Sequence, residues 1–390
     1  MKSESFLVIG DLHYDPSYEH VFEKSIKQLN QYNFDTAFQL GDLGGYHYPG
    51  TKESFLDSNK LFQNIKTDVH TLIGNHDMEG EEYHHDEENR QAWLDIFQQE
   101  KPYKAIEIGP YLGINLSTWS FRHHPFCSHQ VTLGDEQYQW LLNTLESNKD
   151  RPTFIFCHVP IISSGLMTLV TPHLGAPNAF LDQTEDPFKY DALLKNNPQI
   201  KLWFSGHNHL GHQYENAISQ RHQCTFVHTG TMSTFSRDTL RQSRRIEISD
   251  EKINIYSIDH NMAKESLDTE VCLNSLKMTR HQERHLSSLG KHHFTEKLTD
   301  DKAQWNLRES IFQWHKDHLI EYDSVTKWPV GVVYRGKEVE TTNDLDFLYL
   351  NTPHGEEYFA ENKINRYLRP HIPSRDFHLS HSPLPVNWGD

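Results

Sequence analysis

The sequence contains few cysteines and no long hydrophobic run. Its four cysteines, Cys127, Cys157, Cys224 and Cys272, match neither a CxxC metal site nor the spacing of a disulfide framework. We therefore predict buried thiols in a reducing compartment. The first apolar run, residues 6–9, is too short for a signal peptide, and no later segment is long enough to span a bilayer. These absences predict a soluble, cytoplasmic protein without a membrane role.

Basic residues are also scarce. The chain carries 37 lysines and arginines against 54 aspartates and glutamates, which gives a net charge of −17. Proteins that bind the phosphate backbone of nucleic acids depend on lysine and arginine, so a nucleic acid is not expected as the main partner. The balance still permits a small anionic substrate that is held by local cations.

The size and composition indicate a globular protein. At 390 residues the chain is long for one compact domain, so one large domain with an appendage, or two domains, are expected. Hydrophobic residues make up 36% and aromatic residues 12% of the sequence, which is enough to build a sizeable core. Histidine is abundant, with 28 residues, and only the positions of these residues can indicate whether they serve metal chemistry.

Five short apolar runs predict buried β-strands. Each run is rich in branched or aromatic residues and is bounded by turn formers. Between the first three runs, apolar residues recur at helical spacing. This alternation of strand and helix implies parallel pairing in an α/β fold. The runs are residues 6–9, 36–40, 69–73, 153–157 and 201–205, and the helical residues are Phe22, Ile26, Leu29, Phe55, Phe62 and Ile65.

The following segments predict a further helix and a second sheet. Residues 134–147 have the apolar face of a helix. Three runs, residues 224–231, 244–249 and 252–259, predict strands, and the last two are separated by a short turn that is typical of a hairpin. We expect these strands to close a second, partly antiparallel sheet.

The character of the sequence changes after about residue 262. We therefore predict one domain over residues 1–261 and a C-terminal extension over residues 262–390, with the role of a cap or of a homo-oligomer contact. Within the extension, residues 300–323 predict a helix, whereas residues 329–334 and 344–350 predict strands or extended segments.

Each of the five predicted strands is followed by side chains that can bind a metal ion. Ligands of α/β proteins bind at the carboxyl ends of the strands, and a glycine before the ligand, present in four of the five cases, permits a sharp turn and a close approach. The segments are Gly10-Asp11-Leu12-His13, Gly41-Asp42, Gly74-Asn75-His76-Asp77, His158 and Gly206-His207-Asn208-His209.

The residue types in these segments point to a pair of metal ions. Carboxylates and imidazoles together suit Zn, Mn or Fe. The side chains are too many for one tetrahedral ion but sufficient for two, and a carboxylate such as Asp42 can bridge them. Two metals roughly 3.5–4 Å apart clamp the attacking and leaving oxygens of a phosphoryl transfer.

The ordered blocks GDLH, GDLGG, GNHD, CHVP and GHNH resemble the pattern of the calcineurin-like metallophosphoesterases. That pattern is D-x-H, G-D, G-N-H-[DE], an isolated H and G-H-x-H. The resemblance extends over about residues 5–260 and does not include residues 262–390. It implies an α/β fold, a four-layer αββα sandwich of two mixed β-sheets, to which the C-terminal extension would be an appendage.

The resemblance also implies two divalent metal ions per chain. A hydroxide that bridges the metals would attack phosphorus, because metals lower the pKa of bound water. Mn, Fe and Zn share the same ligand types, so the identity of the metals stays open. The ligands would be Asp11, His13 and His209 for one metal, Asn75, His158 and His207 for the other, and Asp42 as the bridge.

Two further residues of the GNHD block are implied as catalytic residues. His76 would face the substrate, stabilise the charge of the transition state and protonate the leaving oxygen. Asp77 would orient His76 from behind, because a hydrogen bond to one ring nitrogen determines which nitrogen carries the proton.

The details of the blocks favour one branch of the family. Purple acid phosphatases carry a tyrosine three residues after the bridging aspartate, but this position is Gly45 here, so a tyrosine-ligated ferric site is not expected. D-x-H with G-N-H-D resembles the class III cyclic-nucleotide and glycerophosphodiester phosphodiesterases. The implied function is a phosphodiesterase that acts on a small phosphoester. The alternatives are a phosphomonoesterase, a DNA nuclease and a non-catalytic protein-binding scaffold.

Two predicted loops concern substrate binding. Arg122, His123 and His124 form either an exposed turn or a contact to the phosphate of the substrate. Residues 79–88 form an acidic run directly after the GNHD block. We interpret this run as a solvated loop whose negative charge would repel polyanions.

Overall fold

A computed structural model describes residues 3–120, 133–161, 189–207, 209, 211–213, 217–234, 240–249, 251–282, 304–307, 310–315, 318–323 and 329–334. In these residues the strands are β1 (Glu4–Ile9), β2 (Thr36–Gln39), β3 (Val69–Thr71), β4 (Lys104–Ile108), β5 (Tyr111–Leu116), β6 (Thr153–Cys157), β7 (Ile200–Ser205), β8 (Ile218–Arg221), β9 (Cys224–His228), β10 (Gln242–Ser249), β11 (Lys252–Asp259), β12 (Lys264–Cys272), β13 (Met278–Arg280), β14 (Gln304–Leu307), β15 (Ser310–His315), β16 (His318–Asp323) and β17 (Pro329–Tyr334). The helices are α1 (Glu19–Leu29), α2 (Lys52–Phe62), α3 (Asp86–Phe97), α4 (Asp135–Ser147) and α5 (Lys189–Asn196). Two compact units contain these strands, one with β1–β13 and the other with β14–β17.

The helices predicted before residue 262 are present as α1, α2 and α4. In α1, the three apolar residues whose spacing predicts the helix are buried. The side chain of Thr51 caps α2, because its hydroxyl oxygen accepts a hydrogen bond from the backbone N–H of Ser54 at 3.2 Å. Within the described ranges, none of the helices combines the length and the apolar character that crossing a membrane requires.

The first unit contains two mixed sheets, which confirms the predicted α/β fold. One sheet has the order β13-β12-β11-β10-β1-β2-β3, and the other has the order β4-β5-β6-β7-β9-β8. In the first sheet, β1, β2 and β3 are parallel. In the second sheet, β5, β6, β7 and β9 are parallel. The five strands that precede the predicted ligands are therefore parallel strands of these two sheets.

The predicted hairpin of the later strands is confirmed, whereas their predicted common sheet is correct only for β9. Strand β9 lies in the second sheet, but β10 pairs antiparallel with β1, with Phe6 opposite Ile246. Strand β11 follows in the predicted hairpin, with Ser249 opposite Lys252. The sequence pattern of a strand reports only which of its faces is buried. When two sheets bury a face in the same core, this pattern cannot show which of the two sheets the strand joins.

The core of the first unit lies between the two sheets. Phe38 of the first sheet stacks on Phe156 of the second, with ring centroids 3.7 Å apart and planes at 3°. Phe204 continues the stack from Phe156 at 5.0 Å and 6°, while Phe6 meets the rings of Phe38 and Phe156 edge-on. Such aromatic pairs contribute about 0.5–1.5 kcal/mol each beyond their buried area. They therefore fix the position of one sheet, and of its strand ends, relative to the other sheet.

A buried ion pair also connects the sheets. Arg244 of β10 and Asp268 of β12 are fully buried, and Nη1 of Arg244 donates a hydrogen bond to Oδ2 of Asp268. Nε of Arg244 donates to the carbonyl oxygen of His228, which ends β9 in the second sheet, at 3.1 Å. The guanidinium therefore joins the first sheet to the second.

We expect Asp268→Ala to lower the free energy of unfolding by about 3 kcal/mol, because removal of one partner leaves a buried charge uncompensated. Glu270→Ala is the matched control on the same strand. Its partners Lys252 and His281 are 68% and 35% exposed, so the loss should stay below about 1 kcal/mol. Urea-induced unfolding measures both values. Equal losses in the two variants would contradict the stabilising role of the buried pair.

The second unit differs from the sequence prediction. The described part of residues 300–323 forms β14, β15 and β16 instead of a helix, and these strands pair antiparallel in order with β17. Two residues separate β14 from β15 and β15 from β16, which is typical of hairpins. The segment is rich in aromatic and β-branched residues, whose strand preference prevails over their helical spacing.

The C-terminal predictions have mixed outcomes. The prediction for residues 329–334 is confirmed by β17, whereas residues 344–350 lie outside the described residues. The first sheet continues through β12 and β13 to Arg280. The predicted boundary after residue 261 therefore falls in the turn between two paired strands, β11 and β12. The role of residues 262–390 as a cap or an oligomer contact stays a prediction.

Candidate metal centre

The predicted ligands lie at the carboxyl ends of parallel strands, in unusual backbone conformations. Asp11 and His13 follow β1, Asp42 follows β2, and His207 and His209 follow β7. Their φ angles are positive at His13 (39°), Asp42 (54°), His207 (66°) and His209 (50°). This region is sterically unfavourable for residues with a side chain and is found preferentially at functional sites. The fold therefore tolerates local strain in order to direct these side chains to one place.

Two glycines permit the carboxylates to approach the backbone. A Cβ atom at Gly74 would lie 2.2 Å from Oδ1 of Asp42, and one at Gly206 would lie 2.6 Å from Oδ2 of Asp11. Any other residue at these positions would displace a carboxylate. The glycine that precedes the predicted ligands in the GNHD and GHNH blocks is thus required for close approach.

Four of the predicted ligands form one buried cluster. The ligand atoms of Asp11, His13, Asp42 and His209 lie within 4.8 Å of one another. Nε2 of His209 is 3.0 Å from Nε2 of His13 and 3.2 Å from Oδ1 of Asp11. Nε2 of His13 is 3.6 Å from Oδ2 of Asp42. The structure therefore brings two carboxylates and two imidazoles to a common point.

A second cluster contains Asp42 again. It comprises Asp42, His158 and His207, whose ligand atoms also lie within 4.8 Å of one another. Nε2 of His158 is 3.1 Å from Oδ2 of Asp42 and 3.0 Å from Oδ1 of Asn75, and Nδ1 of His207 is 3.3 Å from the same nitrogen. Six of the seven side chains predicted as ligands thus form two groups that share Asp42, and the seventh, Asn75, contacts His158 of the second group.

The hydrogen bonds of two histidines leave lone pairs directed into the clusters. Nδ1 of His13 donates to the carbonyl oxygen of Gly44 at 3.3 Å, and Nδ1 of His158 donates to that of Leu40 at 2.6 Å. In its neutral form each imidazole carries one hydrogen, so Nε2 of that ring then presents a lone pair. These nitrogens face carboxylate, amide and imidazole groups, which are ligand types that divalent cations accept. The residues present therefore fit a divalent cation at each cluster.

Burial and neighbouring charges shift the pKa values of the clustered groups. Burial lowers the pKa of His13 to about 3 and lowers that of His207 well below its ordinary value. Both imidazoles are therefore neutral at pH 7, which is the form that binds metals. Burial also acts to lower the pKa of His158, but the charges of Asp42 and Asp11 prevail and raise it to about 9. A bound cation would compete with the proton on His158.

His76 lies beside the clusters but belongs to neither. Its backbone N–H donates a hydrogen bond to Oδ1 of Asp42 at 2.9 Å. Its side chain is 23% exposed, whereas the residues of both clusters are buried. Burial acts to lower the pKa of His76, but the charge of Asp42 and the hydrogen bond to Glu79 prevail and raise it to about 9. These features agree with a histidine that faces the substrate, and this role stays a prediction.

The structure corrects the role predicted for Asp77. Its carboxylate is buried and accepts hydrogen bonds from the backbone N–H groups of Gly74 and Asp42, at 2.8 and 2.9 Å, and of Leu43, at 2.8 Å. Nδ1 of His76 instead meets Oε2 of Glu79 at 2.8 Å. Asp77 therefore joins the GD and GNHD loops to each other, because three backbone donors satisfy its two oxygens.

Two residues beside His76 have no predicted role in the sequence pattern. Glu79 is three residues further along, and the 3-10 turn His76–Met78 aligns positions three apart, so the HDME spacing is the signal for this contact. The ring of Tyr46 stacks on His13, with centroids 4.6 Å apart, and meets His76 edge-on at 5.2 Å. No pattern of ligand spacing predicts Tyr46, because it acts through ring packing. Arg122, His123 and His124, predicted as substrate contacts, lie outside the described residues.

Comparison with known proteins gives a match to one family model and similarities to solved structures. Residues 5–211 match the family model described as calcineurin-like phosphoesterase. No curated protein matches the sequence. Among solved structures, purple acid phosphatase PPD1 from yellow lupin seeds is similar at 14% identity, over 68% of this chain and 53% of that chain, with a TM-score of 0.45. Wild-type Vps29 with Zn²⁺ from Entamoeba histolytica is similar at 14% identity, over 69% and 99% of the two chains, with a TM-score of 0.32. GAP50, an anchor in the inner membrane complex of Plasmodium, is similar at 11% identity, over 76% and 95%, with a TM-score of 0.45.

Proposed function

We propose that this protein, because it belongs to the calcineurin-like phosphoesterase family, is a metal-dependent phosphodiesterase that hydrolyses a small substrate such as a cyclic nucleotide or a glycerophosphodiester. The observation that carries the proposal is the convergence of two buried ligand clusters on one carboxylate, that of Asp42. A pair of metal ions that share a carboxylate is the arrangement suited to displacement at phosphorus.

The ligand side chains would hold two divalent ions. When bound, such ions supply charge stabilisation and a nucleophilic water of lowered pKa. Asp42 would contact both ions, since its Oδ2 lies between the imidazoles of His13 and His158. The remaining ligands would be Asp11 and His209 on the side of His13, and Asn75 and His207 on the side of His158.

His76 would protonate the leaving oxygen. Its Nδ1 is engaged by Glu79, so Nε2 is the ring nitrogen available to the substrate. Proton transfer by a positioned side chain typically accelerates a reaction about 10²–10⁴-fold. The backbone N–H of His76 donates a hydrogen bond to Asp42. This bond holds His76 next to the ligand that both clusters share.

The charge near His76 supports a diester as the substrate. The carboxylate of Glu79 contacts His76, and the exposed residues Glu81 and Glu82 follow after Gly80. At neutral pH a phosphomonoester carries up to two negative charges, whereas a diester carries one. Repulsion by these carboxylates is therefore weaker for the diester.

We expect the purified chain to hydrolyse bis(p-nitrophenyl) phosphate in the presence of Mn²⁺, and to do so at least about tenfold faster than p-nitrophenyl phosphate, a difference of about 1.4 kcal/mol in activation free energy. Chelation should stop the reaction, and added metal should restore it. Release of p-nitrophenolate measures both rates.

The same measurement can reject the proposal. Absence of hydrolysis with each of Mn, Fe, Co and Zn would favour the non-catalytic scaffold, and faster cleavage of the monoester would favour the phosphomonoesterase. A panel of cyclic nucleotides, glycerophosphodiesters and single-stranded DNA would then identify the substrate class. Cytoplasmic location and a homo-oligomer contact through residues 262–390 stay predictions from the sequence.

A further inference from the structure

The side chain of His76 forms a hydrogen bond with the carboxylate of Glu79. Oε2 of Glu79 lies 2.8 Å from Nδ1 of His76. The two side chains are partly exposed, at 26% and 23%, so the contact lies at the surface of the site. A carboxylate can only accept a hydrogen bond, so Nδ1 carries the hydrogen.

Local geometry makes this contact specific. His76 opens the 3-10 turn His76–Met78, and the backbone N–H of Glu79 bonds to the carbonyl oxygen of His76 at 3.2 Å. Side chains three positions apart are aligned in such a turn. The neighbouring carboxylate of Asp77 is fully engaged by three backbone N–H groups, and Oδ1 of Asp42 accepts the backbone N–H of His76.

We propose that Glu79 is a positioning residue that holds Nδ1 of His76 and thereby presents Nε2 to the leaving oxygen of the phosphoester. The proposal rests on the proposed function and adds a residue to it that the GNHD pattern does not contain. Tyr46 supports the same orientation, because its ring meets the His76 ring edge-on, with planes at 90°.

The orientation of the His76 ring matters for the step in which the leaving group departs. A bond forms between phosphorus and the oxygen of water, and the bond from phosphorus to the leaving oxygen breaks. The leaving oxygen retains the electron pair and takes the proton of Nε2. The Nδ1 proton stays on the ring, donated to Glu79, and the proton released by water later restores the Nε2 proton through solvent.

We expect Glu79→Ala to affect two substrates differently. Methyl phenyl phosphate expels phenoxide, a basic leaving group that depends on protonation, and its kcat should fall about 10- to 100-fold, a part of the 10²–10⁴-fold effect of a general acid. Methyl p-nitrophenyl phosphate expels a weakly basic phenolate, and its kcat should fall less than about threefold. Metal content should not change, because Glu79 belongs to neither cluster.

Two further variants serve as controls. Glu79→Gln retains an oxygen that can accept the Nδ1 hydrogen, so it should recover at least about half of the lost activity on the phenyl ester, on a logarithmic scale. Glu100→Ala removes an exposed carboxylate that follows α3 and should leave both rates within about twofold. An equal fall for both esters in Glu79→Ala would show a merely structural role and would overturn the proposal.

A spectroscopic measurement tests the contact independently of hydrolysis. In the 390-residue chain, with and without Zn²⁺, a downfield ring N–H signal that disappears in His76→Ala reports Nδ1 of His76. This signal should be lost in Glu79→Ala and retained in Glu79→Gln. Its persistence in Glu79→Ala would overturn the proposal. If the unaltered chain hydrolyses neither ester, the proposed function fails and the catalytic use of the contact fails with it, while the NMR signal still decides whether Glu79 holds His76.

Discussion

Asp42→Asn is expected to remove metal from both clusters and to reduce hydrolysis by more than about 10³-fold, which corresponds to about 4 kcal/mol in activation free energy. Asp42 is the one residue that occurs in both groups of candidate ligands among the described residues. Its Oδ2 lies 3.1 Å from Nε2 of His158 and 3.6 Å from Nε2 of His13. Loss of this charge weakens both sites at once. Groups that only orient a metal ligand cost about 10- to 100-fold when they are removed, so a shared ligand should cost more.

Asparagine is the appropriate replacement because of the backbone at this position. Asp42 has a φ angle of 54°, a conformation that asparagine adopts readily and alanine does not. The amide also preserves an oxygen that can accept the N–H of His76. A loss of function in Asp42→Asn therefore reflects the missing charge, whereas Asp42→Ala would combine that loss with backbone strain.

Metal content by elemental analysis and turnover with Mn²⁺ measure the outcome. Asp95→Asn, which changes an exposed aspartate on α3, is the matched control and should leave both quantities within about twofold, as surface substitutions usually do. If Asp42→Asn retains the metal content and the turnover of the unaltered chain, Asp42 is not a shared ligand and the assignment of the centre is wrong.

His76→Ala is expected to reduce turnover about 10²–10⁴-fold while the metal content stays the same. The reason is its place beside the clusters, since its ring nitrogen Nδ1 is bonded to Glu79 and its side chain is partly exposed. The contrasting variant is His158→Ala, which removes a buried member of the second cluster and should lower both metal content and turnover.

The comparison of His76→Ala with His158→Ala distinguishes a residue that acts as a general acid from a residue that binds metal. His84→Ala is the control. It removes an exposed histidine of the same loop and should leave turnover within about twofold. Loss of metal in His76→Ala would identify His76 as a ligand and would contradict its assignment as the acid. Unchanged turnover in His76→Ala would show that the leaving group departs without this proton.

The residues of the centre could be predicted from the sequence because their positions follow from local rules. Each candidate ligand comes directly after a short apolar run, and such runs form strands whether or not their partners are known. Parallel strands direct their carboxyl ends to one edge. Asp11, Asp42 and His158 were therefore expected to meet, and the structure places Nε2 of His158 3.8 Å from Oδ1 of Asp11 and 3.1 Å from Oδ2 of Asp42.

The partner of each strand could not be predicted in the same way. The pattern of β10 indicates a strand with a buried face, but both sheets bury a face in the core, so its pairing with β1 depends on long-range contacts. The segment of β14–β16 carries aromatic residues at spacings that fit a helix or a hairpin, and the short connections between the strands decide for the hairpin.

The sequence alone determined the set of ligand types, their order along the chain and the α/β arrangement that gathers them, because these depend on residue chemistry and on the period of the strands. The tertiary structure decided which carboxylate meets His76. Asp77 is adjacent in sequence, but its oxygens accept the backbone N–H groups of two loops. Glu79 reaches Nδ1 because a 3-10 turn aligns residues three apart. A hydrogen bond depends on distances of a few tenths of an ångström, and only the folded backbone sets distances at that scale.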